Sequence, residues 1–163
     1  RLILDGWQIS GITRFSSGRP LTVTLGGNPG TLGGGVRADY LGGDIFEGTG
    51  QISTANPMYF NPFRFARPPE GTLGNTANGI FRGPGINNWD MSLFKNTRIS
   101  ERVTAQLRFE FFNVFNHTQW DGINTSRTLP NPGPVTEATR GQLGEITSSR
   151  DPRNIQLGLK IYF

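Results

Sequence analysis

Cysteine is absent from the 163 residues, and histidine occurs once, at His117. The first absence excludes disulfide frameworks and thiolate metal sites. The second leaves no two-histidine zinc site and no histidine triad with a ligand to spare. No apolar run approaches the ~18 residues that a transmembrane helix needs, and Leu, Ala, Glu and Lys are too sparse for long helices. The net charge of +4 comes from 16 basic and 12 acidic residues. The cations are nearly all arginine, scattered at Arg14, Arg37, Arg64, Arg82, Arg108 and Arg140 with no run and no basic helix. A nucleic-acid partner is therefore not expected. The chain opens without an initiator Met or a signal peptide, which leads to the expectation that residues 1–163 are one part of a longer domain.

What is abundant points to strands and loops. Twenty-three glycines and eleven prolines make up about a fifth of the chain, and only 34% of residues are hydrophobic. A period of two recurs four times. Trp7, Ile9, Gly11, Thr13 and Phe15, then Leu21, Val23 and Leu25, alternate with Gln8, Ser10, Arg14 and Ser16. The break at Ser16–Pro20 reads as a turn or a bulge, and the parity kept across it favours one kinked strand. Trp89, Met91 and Leu93 alternate with Asp90 and Ser92, with Phe94 out of pattern. Val103, Ala105, Leu107, Phe109 and Phe111 alternate with Thr104, Gln106, Arg108 and Glu110. Ile155, Leu157, Leu159, Ile161 and Phe163 alternate with Gln156, Gly158, Lys160 and Tyr162.

The connections between these segments run long (Gly26–Asn88), short (Asn96–Arg102) and long (His117–Arg150). Strands of about ten residues match the ~9–11 that a tilted transmembrane strand requires, whereas a soluble sandwich places turns every ~8–12 residues. The expected fold is all-β: an antiparallel meander forming the last roughly four strands of a large transmembrane β-barrel, with two long extracellular loops. The apolar rows, including Val103, Leu107, Phe109, Leu157 and Leu159, are expected to face outer-membrane lipid and the polar rows the lumen. On that basis Leu107→Arg near the bilayer midplane would cost roughly 2–4 kcal/mol, and Gln106→Arg would be mild.

Little catalytic chemistry is legible. Asp39, Asp44 and Glu47 lack the spacing and central glycine of a calcium loop. The glycine runs at Gly26–Gly30 and Gly33–Gly35 lack the Gly-Lys-Ser/Thr of a phosphate loop. Arg108 and Glu110 read as lumen electrostatics. No enzymatic activity, catalytic residue, metal or cofactor is expected. The aromatics Tyr40, Phe46, Tyr59, Phe60, Phe63 and Phe65 suggest that the first long loop folds on itself, and Tyr59, Phe60 and Trp120 are candidate ligand contacts.

Several blocks carry a family resemblance. They are Gly6-Trp7-Gln8-Ile9-Ser10-Gly11-Ile12 with Ser17-Gly18-Arg19-Pro20, then Arg82-Gly83-Pro84-Gly85, Asn88-Trp89-Asp90-Met91-Ser92-Leu93-Phe94-Lys95, Phe109-Glu110-Phe111-Phe112-Asn113-Val114-Phe115-Asn116-His117, and Asp151-Pro152-Arg153 with the last strand. In this order they resemble the C-terminal end of TonB-dependent outer-membrane receptors, most closely the subgroup with an N-terminal carboxypeptidase-regulatory-like domain. The resemblance implies a bacterial outer-membrane location and a barrel of about 22 strands around a plug. It implies energy-coupled uptake of a scarce ligand, with the TonB complex engaged only through an upstream part. The closing pattern of Gln156, Gly158, Ile161 and Phe163 resembles the C-terminal assembly signal of outer-membrane barrels. It implies the barrel-assembly machinery as a partner, with Gly158 permitting a close backbone approach or a kink. Two other functions stay open beside the receptor: a non-transporting barrel for adhesion or surface assembly, and a secreted β-rich carbohydrate-binding module.

Overall fold

A computed structural model of the chain describes residues 4–26, 36–49 and 57–163. The glycine runs at Gly27–Gly30 and Gly33–Gly35 lie outside the described residues. The chain divides into two compact units. The first holds the residues up to Ser16, Gly85–Gln119 and Arg150–Phe163; the second holds Ser17–Pro84 and Trp120–Ser149.

The first unit is a single antiparallel sheet of four strands, Trp7–Ser16, Ile86–Arg98, Thr104–Phe112 and Asn154–Tyr162, adjacent in that order. Their lengths are 10, 13, 9 and 9 residues. A register slip of one residue would invert a strand's faces, so the pairing decides whether four separate alternations make one surface. They do. Trp7, Lys95, Leu107 and Leu159 form one row, Ile9, Leu93, Phe109 and Leu157 the next, and Gly11, Met91, Phe111 and Ile155 a third. Behind them lie Gln8, Phe94, Arg108 and Gly158, then Ser10, Ser92, Glu110 and Gln156. Phe94, the one apolar intruder in these two polar rows, is accounted for by Arg108. Its guanidinium sits 5.0 Å from the Phe94 ring centroid and donates to Glu110 at 3.1 Å.

The apolar face has no covering layer within this unit. Ile9 is 67% exposed and Leu157 69%, and Val23, Leu25, Phe60 and the other buried core residues belong to the second unit. Aromatic rings mark both ends of this face. Phe15 and Phe115 each meet Trp89 edge-on, at 5.8 and 5.7 Å between centroids. At the other end the Lys95 ammonium lies 5.1 Å from the Trp7 ring and donates to the Asp5 carbonyl. Trp7 and Phe15 are separated by about 27 Å of strand at ~3.4 Å per residue. A strand tilt of ~40° reduces that to a band about 21 Å tall, close to the ~25 Å apolar band of outer-membrane barrels.

The short connection closes as expected. The N–H groups of Ile99 and Ser100 both donate to the Val103 carbonyl, at 2.9 and 3.1 Å. Val103 is consequently a turn residue and not the first residue of the strand, which begins at Thr104. Gly158 lies within the fourth strand, opposite Arg108. The ladder runs through it without a shift, and a Cβ added there would meet only the Arg108 Cβ at 3.8 Å, an ordinary contact. Within the sheet, neither a kink nor a close approach requires glycine at position 158.

The break after Ser16 is an interruption and not a hairpin turn. Ser16 stands opposite Ile86 and Pro20 opposite Arg82, so three residues separate the pairs on each chain. A turn would instead have folded Leu21–Leu25 back onto Trp7–Ser16.

In the second unit the two long loops build one structure together. Thr24–Gly26 pairs in parallel with Ser126–Thr128, and Phe65–Arg67 pairs with Asp39–Tyr40 on one side and Gly133–Pro134 on the other. Leu21, Val23, Leu25, Phe60, Phe65 and Phe81 from the first loop bury against Leu129, Val135 and Leu143 from the second. Arg67 is buried at their junction, and its guanidinium donates to the carbonyls of Leu129 and Pro130 at 2.9 and 2.8 Å and to Glu70 at 2.7 Å. A charge taken out of water is tolerated only with such partners. The expectation that the first loop folds on itself is therefore met only in company with the second.

Candidate functional site

At the end of the sheet where Asn154 stands opposite Phe112, the polar face carries a concavity of about 580 Å³. One wall comes from Asn88 and Asp90 of the Ile86–Arg98 strand, with Phe112 and Asn113 of its neighbour. The other is the segment Arg150–Ile155. Strand alternation aims Asn88, Asp90, Phe112 and Asn154 to the polar side. Asp90 Oδ1 accepts from the Asn113 N–H and from Asn88 Nδ2, both at 2.9 Å.

The turn after Phe112 holds these walls in place. Asn113 and Asn116 both adopt left-handed backbone, with φ of 50° and 51°, a conformation that asparagine tolerates better than most residues. The Asn113 side chain accepts from the His117 N–H and donates to the His117 carbonyl, each at 3.0 Å. Asn116 Oδ1 accepts from the Arg153 N–H at 3.0 Å, tying the turn to the opposite wall. Gln119 is buried. It accepts from the Asn87 N–H at 2.9 Å, donates to the Asn87 carbonyl, and lies 2.9 Å from His117 Nδ1. The single histidine thus serves a hydrogen-bonded turn. Asn113→Ala removes both bonds to His117 and places a Cβ residue without a local hydrogen bond in left-handed backbone. It is expected to destabilise the protein by about 1–3 kcal/mol, read as a lower denaturant midpoint.

The residues singled out from sequence fall in three places. Leu107, Phe109, Leu157, Leu159 and Ile161 stand on the apolar face, while Gln156 and Gly158 stand on the polar one. Phe163 follows the end of its strand and is 99% exposed. Tyr59, Phe60 and Trp120 are not one ligand surface. Phe60 is completely buried, its ring 4.9 Å from Phe81 and 5.7 Å from Phe65, so it serves the loop core and offers no face to a ligand. Tyr59 is half-buried and donates to the Arg82 carbonyl at 2.8 Å, and burial raises its phenol pKa above the ordinary value. Trp120 is exposed at the start of Trp120–Ile123.

Asp90, Phe112, Asn113 and Arg153 were absent from the sequence-based candidates. The signal was there in part: Asn113 and Asn116 stand where the alternation fails, and paired asparagines at such a point mark a left-handed turn.

Among the described residues no group of three His, Cys, Asp or Glu side chains is placed to hold a metal ion. No helix is long and apolar enough to cross a membrane, which says nothing of crossing by strands. No curated protein and no solved structure matches the chain. A family model for an outer membrane beta barrel domain matches residues 1–156. The match covers the first three sheet strands and the first three residues of the fourth, and it agrees with a sheet apolar on one side and polar on the other. The chain therefore belongs to the outer-membrane β-barrel domain family, and its place is the bacterial outer membrane.

Proposed function

We propose that the chain forms the C-terminal barrel segment of a receptor for energy-coupled, TonB-dependent uptake of a scarce ligand. In this reading the apolar rows of Leu107, Phe109, Leu157 and Leu159 meet outer-membrane lipid, and the polar rows of Gln106, Arg108 and Glu110 line the lumen. The observation that carries it is the open polar concavity at the end of the sheet from which both long loops leave. A polar recess with several convergent side chains is what a ligand-binding wall supplies. The ordered sequence blocks shared with TonB-dependent receptors support the same reading. A secreted carbohydrate-binding module is incompatible with an outer-membrane barrel domain.

The protein in this reading is not an enzyme and carries no cofactor. The TonB complex reaches it only through an upstream part, and the barrel-assembly machinery reads its last strand, where the exposed Phe163 extends past the paired residues. The full-length protein in planar bilayers should show no steady conductance until denaturant loosens a plug, and it should bind the periplasmic domain of TonB. An open pore that ignores TonB would overturn the transport reading. A sealed barrel that ignores TonB would overturn it in favour of adhesion or surface assembly.

A further inference from the structure

We infer that the concavity between Asp90 and Arg153 is a subsite for a zwitterionic ligand of the peptide class. The inference rests on the polar face being the lumen wall, as proposed above.

Three of the charged groups there, Asp90, Asp151 and Arg153, form no ion pair with one another. Asp90 uses Oδ1 for both of its hydrogen bonds, and Oδ2 has no partner among the described residues. The Asp151 carboxylate and the Arg153 guanidinium likewise have none, although the Arg153 backbone N–H is held by Asn116. Backbone and turn hydrogen bonds therefore fix the walls while Asp90 Oδ2 and the ionic ends of Asp151 and Arg153 remain open. Phe112, 42% exposed, adds an apolar platform between them.

Complementarity narrows the ligand. An anion would meet two carboxylates, and a simple cation would meet a guanidinium. A neutral polyol would hydrogen-bond to these groups but match no charge, and its bonds are weaker than those of a ligand carrying both signs. A ligand with an ammonium at one end and a carboxylate at the other satisfies both signs. Its ammonium donates to Asp90 Oδ2 or Asp151, and its carboxylate accepts the fork of donors on Arg153. The backbone amides between them suit Asn88 and Asn154, and a side chain can lie on Phe112. The volume of about 580 Å³ falls within the range of small-ligand sites.

The test uses the full-length protein in detergent and tetraalanine as the probe, followed by titration calorimetry. Saturable binding is expected, weakened at least about tenfold by N-acetylation, by C-amidation, by Asp90→Asn or by Arg153→Gln. Asp90→Asn keeps the Oδ1 acceptor, and the Arg153 side chain has no partner among the described residues, so both variants should retain heat-modifiable gel mobility. Absence of saturable binding, equal binding of the capped peptides, or displacement by maltotetraose would each overturn the inference. Binding in detergent does not depend on energy coupling. A protein that conducts freely yet binds tetraalanine would lose the transport reading and keep this site; a plugged, TonB-binding protein that ignores tetraalanine would lose only this site.

Discussion

Phe60→Ala is expected to unfold the loop unit, at a cost of about 3–5 kcal/mol, the range for removing a buried aromatic and leaving its cavity. Phe60 has no exposed surface and packs against Phe65 and Phe81, so the void would sit in the centre of the core. Hydrogen exchange should report the loss across both long loops at once, because Leu129 and Leu143 of the second loop share that core. Trp120→Ala, at an exposed ring, should leave exchange in the core unchanged. If Phe60→Ala weakened ligand binding without loosening the loops, the ring would be a ligand contact after all.

On the apolar face the largest penalty is expected at Leu157. Trp7 marks one end of the band and the Phe15, Trp89 and Phe115 rings the other, and Leu157 stands in the row of Ile9, Leu93 and Phe109 that lies between them. Leu157→Arg should therefore cost about 2–4 kcal/mol, measured by denaturant titration of the full-length protein in lipid. Leu107→Arg should cost only about 0–1 kcal/mol. Leu107 shares its row with Trp7 and with Lys95, whose ammonium already reaches beyond the row to the Asp5 carbonyl. Gln156→Arg, on the polar face, should be mild. Equal penalties at Leu157 and Gln156 would mean that the faces are reversed or both wet.

The sheet was legible in the sequence because each strand carries its own alternation, and alternation is a local property. The depth of each residue was not legible. Sequence alone treats Leu107 and Leu157 alike, and only the register brings Lys95 beside Leu107 and marks it as a boundary position. The strand ends were off by little, as with Val103, whose carbonyl closes the turn. The loops were harder. Their aromatics announced some local folding, but Phe60 and Tyr59, neighbours in sequence, differ in burial because of partners far along the chain. The concavity was invisible for the same reason. Asp90 alternates with Trp89 and Met91, and nothing in that pattern says that Asn113 will occupy one of its oxygens and leave the other open.

The two long loops are one inheritance unit. Thr24–Gly26 pairs with Ser126–Thr128 of the second loop, and Arg67 draws two of its acceptors, the carbonyls of Leu129 and Pro130, from that loop as well. Exchanging either loop alone between relatives would strand a buried guanidinium and an unpaired edge. Variation in this part of the molecule should thus arrive in matched pairs, with positions 24–26 and 65–67 drifting together with 126–130 and 133–135. A chimera carrying both loops from one parent should mature, and a chimera carrying one from each should not.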